Sequence, residues 1–175
     1  GQHKGDVAAA KRASQQTMQR GTDIHNAIDK FIQSKDMPEE TDDAFMSWHR
    51  EIGSQRMWVA SEMLVVDTQL EIGGTIDAIS AENGSYVIWD WKTKERNSRG
   101  TFHKDPKDTA QIAAYARALH RINHQLAPQK ASICYIMRDG SGIEVIDVDP
   151  KKACKLFDIG HSMHHALRNT KGDGS

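Results

Sequence analysis

The sequence predicts an α/β (α+β) domain in which a central mixed sheet is flanked by helices. Two observations lead to this prediction. Apolar residues recur at helical spacing in the N-terminal part of the chain, after residue 106 and after residue 150. Between these segments lie runs rich in Ile, Val, Tyr and Trp that are bounded by turn signals, which is typical of strands. With 175 residues and 38% hydrophobic content, the chain is long enough for one core.

Two helices are predicted before the first strand. The first covers residues 7–34, with a break at Gly21 and with Thr22 as the N-cap of a new segment. An apolar stripe follows the break and consists of Ile24, Ala27, Ile28, Phe31 and Ile32. The second helix is predicted over residues 42–52.

The sheet is predicted from three strands, a helix and two further strands. Residues 56–74 have the pattern of extended structure, and a hairpin follows around Asn83-Gly84, because both central positions of a tight hairpin turn need φ > 0. The later elements are a helix after Pro106, strands over 131–139 and 143–148, and a helix opened by Pro150. We therefore predict one domain over residues 1–175, with N-terminal helices in 7–52, a core in 56–148 and a C-terminal helix in 150–168.

The hairpin turn also predicts a register in which Asp77 lies opposite Asp90. Cβ atoms of directly opposed residues are about 5 Å apart, and like charges there are destabilising, so a cation is expected between the two carboxylates. Lys92 lies two residues beyond Asp90 and therefore on the same face. Two carboxylates suit a hard divalent cation such as Mg²⁺. A plainer alternative is that both aspartates lie at exposed strand ends with Lys92 as a cross-strand partner, and the shared register argues against it.

Composition excludes several classes of protein. A net charge of -1 excludes a globally basic nucleic-acid coat. Two cysteines cannot form a disulfide framework or a four-thiolate metal site, and they favour a reducing interior. No segment approaches the roughly 18 apolar residues of a membrane span, and no signal peptide is visible, so we expect an intracellular, cytoplasmic protein without a membrane partner.

Three motifs together resemble the PD-(D/E)XK nuclease superfamily and, within it, the RecB-type exonuclease branch. They are "RGTDIH" at residues 20–25, "GTIDAI" with "IWDWKTK" at residues 74–79 and 88–94, and "QIAAY" at residues 111–115. The chain is similar to CRISPR adaptation nucleases and to the mitochondrial genome maintenance exonuclease. The resemblance implies a restriction-endonuclease-like core, with residues 56–148 as its catalytic part.

The resemblance also implies roles for individual residues. His25 matches the helical metal ligand of this branch, whereas without the motif it would be read as a histidine on a helix surface. Asp77 and Asp90 match the two metal-binding carboxylates, and the backbone carbonyl of Trp91 matches a further ligand. Lys92 matches the catalytic lysine.

Three more residues are candidates for the same site. Gln111 and Tyr115 are four apart and so share a helix face; in similar proteins they border the active site, and the alternative is a tyrosine packed in the core. Glu62 lies on the strand before the hairpin, where similar nucleases have a glutamate that reaches a second metal or a water. An outward-facing polar residue is an equal alternative for Glu62.

A local excess of positive charge indicates the substrate class. Residues 92–107 contain six Lys or Arg against two acidic residues, a local charge of +4. Basic residues beside a metal site favour phosphate binding. Small residues between them predict a flexible loop that closes over a strand of DNA. The candidate substrate-binding residues are Lys94, Arg96, Arg99 and Lys104.

The resemblance therefore implies a DNA nuclease that depends on Mg²⁺ or Mn²⁺ and acts as an exonuclease on single-stranded ends in replication, recombination or repair. A helicase or recombination protein is the implied partner, and a viral or mobile-element origin fits the small size. No iron–sulfur cluster is expected, because relatives that hold one use four cysteines.

Three alternatives stay open at this stage. They are a structure-dependent DNA endonuclease, a non-catalytic nucleic-acid-binding domain of the same fold, and a carboxylate-pair hydrolase such as a glycosidase. Lys92 and the basic segment fit the last of these poorly.

Overall fold

The computed structural model describes residues 2–40, 42–152, 154–155, 157–159 and 162. It confirms the predicted fold class: a mixed five-stranded sheet is flanked by helices. The elements are α1 (Gln2–Ser34), α2 (Asp43–Glu51), β1 (Met57–Asp67), β2 (Ile72–Glu82), β3 (Ser85–Lys94), α3 (Pro106–Ile122), β4 (Lys130–Met137) and β5 (Ile143–Val148). Residues 150–152, 154–155, 157–159 and 162 are helical, and the rest of the predicted C-terminal helix lies outside the described residues.

Two compact units make up the chain. The first, here the N-terminal unit, comprises Gly1–Gln55, Trp91–Phe102 and Tyr135–Ile143. The second, here the C-terminal unit, comprises Arg56–Asp90, His103–Cys134 and Glu144–Ser175. The prediction of one domain over residues 1–175 stays a prediction. Of the helices in the described ranges, none combines the length and the hydropathy that a membrane span requires.

Helix α1 is continuous, so the predicted break at Gly21 was wrong. The hydroxyl of Thr22 donates to the carbonyl of Met18 (3.2 Å), a bond made inside a helix rather than at its start. Gly21 is required for another reason. A Cβ at this position would lie 2.9 Å from Oγ1 of Thr93, so the glycine lets the helix approach β3 closely.

Helix α2 begins and ends where the sequence predicts. Asp42 is its N-cap, and its carboxylate accepts a hydrogen bond from the N–H of Ala44 (2.6 Å). Its buried face carries Phe45 and Trp48. Trp48 packs edge-on against Trp91 of β3 with ring centroids 5.7 Å apart, which holds α2 on this end of the strand.

The β2–β3 hairpin has the predicted turn and the predicted register. Asn83 and Gly84 have φ values of 50° and 77°. The pairs are Glu82↔Ser85, Ala81↔Tyr86, Ser80↔Val87, Ile79↔Ile88 and Ala78↔Trp89. The register follows because the turn chemistry permits only two residues between the strands.

The order of strands in the sheet is β1-β2-β3-β4-β5. β1 and β2 are antiparallel, with an irregularity between Trp58 and Ala60. β4 runs parallel to β3. Hydrogen bonds join the N-terminal end of β4 to that of β3 and the C-terminal end of β4 to that of β3. These bonds run from the N–H of Gln129 to the carbonyl of Tyr86 (3.1 Å) and from the N–H of Arg138 to the carbonyl of Lys94 (3.0 Å).

Strand β3 is buried on both faces. Residues 87–91 are all buried, as expected of a central strand next to a parallel neighbour. The face predicted to carry charge is therefore not a solvent face: Ile79 and Ile88 on it are buried, and Asp90 is only 3% exposed.

In the C-terminal unit, α3 is anchored to β1 by an ion pair. Nε of Arg121 donates to Oδ2 of Asp67 (2.7 Å), and the N–H groups of Gln69 and Leu70 donate to Oδ1. Burial by itself raises the pKa of the Asp67 carboxyl, but these hydrogen bonds outweigh burial and hold the pKa below its usual value.

The lowered pKa predicts how stability depends on pH. Because the carboxylate is favoured in the folded state, its contribution is present above the unfolded pKa of about 3.9 and is lost as the pH falls through the folded pKa. We expect Asp67→Asn to be less stable at pH 7 and to lose less stability than the wild type between pH 5 and pH 2. Urea unfolding across this range measures both, and equal acid slopes for the two proteins would contradict the prediction.

Candidate active site

Continuing the observed pairs of neighbouring strands aligns three acidic residues: Glu62, Asp77 and Asp90, here the acidic row. The β1–β2 pairs on either side of Glu62 are Ser61↔Ala78 and Met63↔Ile76. Asp77 is thus the residue of β2 that corresponds to Glu62. In the β2–β3 register, the next positions after the last pair are Asp77 and Asp90. The sequence predicts the alignment of Asp77 with Asp90 from the hairpin turn. It does not predict the alignment of Glu62 with Asp77, because no turn motif sets the β1–β2 register.

Glu62 has an unusual backbone. Its φ of 49° lies in the left-handed region, which a non-glycine residue in a strand rarely adopts. Such a conformation costs about 1–3 kcal/mol and persists only where the surrounding structure enforces it, most often at functional sites. The side chain is exposed. This backbone geometry sets Glu62 apart from an ordinary outward-facing strand residue.

Burial increases along the acidic row. Glu62 is exposed, Asp77 is half-buried and Asp90 is 3% exposed. Burying one carboxylate close to another is unfavourable unless a positive charge is nearby, so the pair fits a cation. Carboxylate oxygens are the donors that Mg²⁺ and Mn²⁺ prefer.

Within the described part of the chain, no three or more His, Cys, Asp or Glu side chains form a group that could hold a metal ion. The predicted set of His25, Asp77 and Asp90 therefore stays a prediction. Mg²⁺ needs fewer protein ligands, since it keeps several waters and is typically held by one or two carboxylates together with substrate phosphates. A site of Asp77 and Asp90 alone also stays a prediction.

The N-terminal unit carries His25 and Lys92. His25 is half-buried and follows Ile24, which is 1% exposed, so it lies beside the apolar face of α1 as predicted. One helical turn earlier, Gly21 lies against Thr93, the residue after Lys92. This contact brings the α1 turn that leads to His25 next to the part of β3 that carries Lys92. Lys92 is half-buried.

A second contact anchors the same part of α1. Nη2 of Arg20 donates to the carbonyl of Arg138 (2.8 Å) and lies 2.9 Å from Oδ2 of Asp42. The guanidinium of Arg138 in turn donates to Glu95 (3.0 Å) and to both oxygens of Thr93 (3.3 and 3.4 Å). Sequence analysis missed this network, because Arg138 follows β4 and is far from the motifs along the chain.

Gly21→Val is expected to lower catalytic activity about tenfold and stability by about 1–3 kcal/mol, because a branched side chain overlaps Thr93 and pushes α1 away. Thr93→Ala in the same chain should restore part of both losses. Thermal unfolding and nuclease rates measure them. Gln16→Val is the control, since Gln16 is exposed on the same helix. A loss for Gly21→Val no larger than that for Gln16→Val would contradict the steric conflict with Thr93.

In the C-terminal unit, Tyr115 packs on the strand that carries Asp77. Tyr115 is 9% exposed, and a Cβ at Gly74 would overlap its ring. Its hydroxyl accepts a hydrogen bond from Nε2 of Gln111 (3.0 Å), as the four-residue spacing predicts. The tyrosine thus belongs to the core, and Gly74, against which it packs, precedes Asp77 by three residues on β2.

The basic loop after β3 is a hydrogen-bonded turn, although its small residues predicted flexibility. Oδ1 of Asn97 accepts from the N–H groups of Arg99 (2.9 Å) and Thr101 (3.1 Å), and its side-chain amide donates to Thr101. The N–H of Gly100 donates to the carbonyl of Asn97 (2.9 Å). The loop therefore has hydrogen bonds of its own, and its predicted flexibility stays a prediction.

The four cations proposed for substrate binding differ in their surroundings. Nζ of Lys94 lies over the Tyr135 ring (5.6 Å), and Arg96 donates to the carbonyl of Gly100 (2.8 Å). The ammonium of Lys104 forms an ion pair with Glu144. Arg99 is exposed in the turn. Because Lys104 already has a carboxylate partner, it is the weakest of the four candidates for binding phosphate.

Comparison with known proteins gives one family. The sequence model of the PD-(D/E)XK nuclease superfamily matches residues 35–171, which include Asp77, Asp90, Lys92, Gln111 and Tyr115. No curated protein matches. Among solved structures, the crystal structure of SSO0001 is 20% identical, with a TM-score of 0.31, over 50% of this chain and 38% of that chain. The match thus spans little more than a third of that protein.

Proposed function

The chain belongs to the PD-(D/E)XK nuclease superfamily, and we propose that it is a metal-dependent deoxyribonuclease, an exonuclease that hydrolyses phosphodiester bonds at single-stranded DNA ends. The observation that carries this proposal is the correspondence of Asp77 and Asp90 in the hairpin register, with Lys92 two residues further along β3. The "RGTDIH" and "QIAAY" motifs support the RecB-type branch. In that branch we propose a role in replication, recombination or repair with a helicase or recombination protein as partner.

Asp77 and Asp90 would hold the metal ion, together with the carbonyl of Trp91 and the imidazole of His25. Glu62 is the candidate for a second ion or for a bound water. When bound, the ion lowers the pKa of a water and neutralises charge on the phosphate. A site of oxygen ligands alone suits Mg²⁺, whereas an imidazole among the ligands shifts the preference toward Mn²⁺.

Lys92 supplies the positive charge of the site. The half-buried Lys92 lies two residues from Asp90 on the same strand, where its ammonium orients the attacking water and stabilises negative charge that develops on the phosphate. Burial strengthens both effects, since the local dielectric constant is lower than that of water.

The remaining residues bind and position the strand. Gln111 and Tyr115 are coupled by their hydrogen bond, so the tyrosine sets the direction of the exposed glutamine amide. Lys94, Arg96 and Arg99 lie in or beside the basic loop, and we propose that they contact substrate phosphates, with affinity that falls as salt rises.

A degradation time course tests the proposal. Linear single- and double-stranded DNA, labelled at either end, and closed circular single strands are incubated in Mg²⁺, Mn²⁺ or EDTA. We expect metal-dependent loss of linear single strands with circles intact, 5′-phosphate products, and a rate at least about 10³-fold lower for Lys92→Ala, since the ammonium acts in the transition state. Lys30→Ala is the control, because Lys30 is exposed on α1.

Each other outcome has a definite meaning. Cleavage of circles would make the protein an endonuclease. Binding of DNA and metal without cleavage would make it a non-catalytic binding domain. Cleavage that survives EDTA would contradict metal-dependent hydrolysis.

A further inference from the structure

An open groove of about 1060 Å³ lies in the C-terminal unit. Its walls come from the start of β3, the second half of α3, residues 124–129 and the first turns of the helix after Pro150. Tyr86 in the wall precedes Asp90 by four residues on β3. At about 3.4 Å per residue, the groove therefore begins about 14 Å from the acidic row.

The lining of the groove has an excess of available positive charge. Its two carboxylates are engaged within the protein: Asp158 pairs with Arg117 (3.1 Å), and Asp149 accepts from the N–H of Lys151 (2.9 Å). The ammonium groups of Lys151 and Lys155 form no ion pair among the described residues, and both side chains are exposed. They are four apart on one helix and so share a face. Two adjacent cations of this kind suit a repeating polyanion.

The groove also offers rings on which bases can stack. Tyr86, His120 and His124 line it, and the two imidazoles lie edge to face with centroids 4.9 Å apart. Stacking on aromatic rings beside backbone-binding cations is the usual way in which proteins hold single strands without reading sequence. A small anionic metabolite would not need several rings beside the two lysines.

We propose that this groove binds a single strand of nucleic acid, namely the part of the substrate strand that extends away from the acidic row. Identifying that strand as substrate rests on the proposed function, whereas binding in the groove does not. Lys151 and Lys155 contact phosphates, and Tyr86 with the two histidines holds bases.

Fluorescence anisotropy in EDTA tests this without cleavage. Labelled oligothymidylates of 4 and 20 nucleotides are titrated with the wild type and with K151E/K155E. For the 20-mer we expect at least a tenfold rise in Kd, and a salt slope reduced by roughly 1.4, about 0.7 for each lost phosphate contact. For the 4-mer we expect much less change. The matched control is K11E/K152E, with both lysines exposed and outside the groove lining.

The outcomes separate this inference from the proposed function. If K151E/K155E bound the 20-mer with the Kd of the wild type, or if K11E/K152E showed the same rise in Kd, binding of the strand in the groove would be overturned. An equal rise for both oligonucleotides would overturn the assignment of the groove to the part of the strand that extends away from the acidic row, because a short strand would then use the same cations. A groove-dependent Kd without cleavage in Mg²⁺ or Mn²⁺ would leave the groove standing and reject the nuclease.

Discussion

Asp90→Asn is expected to lower metal-dependent cleavage at least about 10³-fold and to abolish the rise in Tm that Mn²⁺ produces in the wild type. The amide removes a negative charge from the pair, and a hard cation then keeps one carboxylate where it had two. Because a bound ion stabilises only the folded state, the lost rise in Tm reports lost binding directly. Asp77→Asn is expected to behave in the same way, since Asp77 is the corresponding residue of β2.

Stability without metal separates a functional role from a structural one. Opposed like charges destabilise a strand pair by about 0.2–1 kcal/mol, so in EDTA we expect Asp77→Asn to be as stable as the wild type or slightly more stable. Asp36→Asn, at an exposed position after α1, is the control for loss of a charge. If Asp77→Asn were clearly less stable in EDTA and bound Mn²⁺ normally, the carboxylate would be structural and the metal site would lie elsewhere.

Gly74→Val is expected to cost about 2–3 kcal/mol of stability and at least about tenfold in cleavage rate. A Cβ at this position overlaps the Tyr115 ring, so the side chain must displace the tyrosine and with it the Gln111 amide. Chemical denaturation and nuclease rates measure the two losses.

The neighbouring glycine provides a matched control. Nothing lies within 4 Å of a Cβ at Gly73, so Gly73→Val should change stability by less than about 0.5 kcal/mol. Adding Tyr115→Ala to Gly74→Val should remove the steric conflict and make the two stability losses less than additive. Activity should stay low in that double variant. Recovery of activity without the tyrosine would show that Tyr115 only packs and does not serve the site.

Much of the site could be predicted because it depends on local sequence. The Asn83-Gly84 turn sets its own register within a few residues, and the alignment of Asp77 with Asp90 follows by counting along two strands. The family could also be predicted locally, because the resemblance depends on short motifs at residues 20–25, 74–79 with 88–94, and 111–115. The Asp42 cap and the bounds of β5 were also predictable from neighbouring residues alone.

The predicted helix break at Gly21 was wrong because a rule for local sequence was applied to a residue whose role depends on a distant contact. Gly21 resembles a helix terminator, yet it is small because Thr93 lies against it from β3. The flexibility predicted for the basic loop stays a prediction, and the side chain of Asn97 closes this loop into a turn.

By itself, the sequence determined the hairpin, the carboxylate pair with its lysine, and the family to which the chain belongs. Only the tertiary structure decided that Glu62 takes a left-handed backbone beside Asp77, that Tyr115 lies on Gly74, and that cations and rings from separate elements line one groove. The physical reason is the range of the interactions. Turn and strand geometry act over a few residues, whereas steric contact and charge act between residues that only the folded chain brings together.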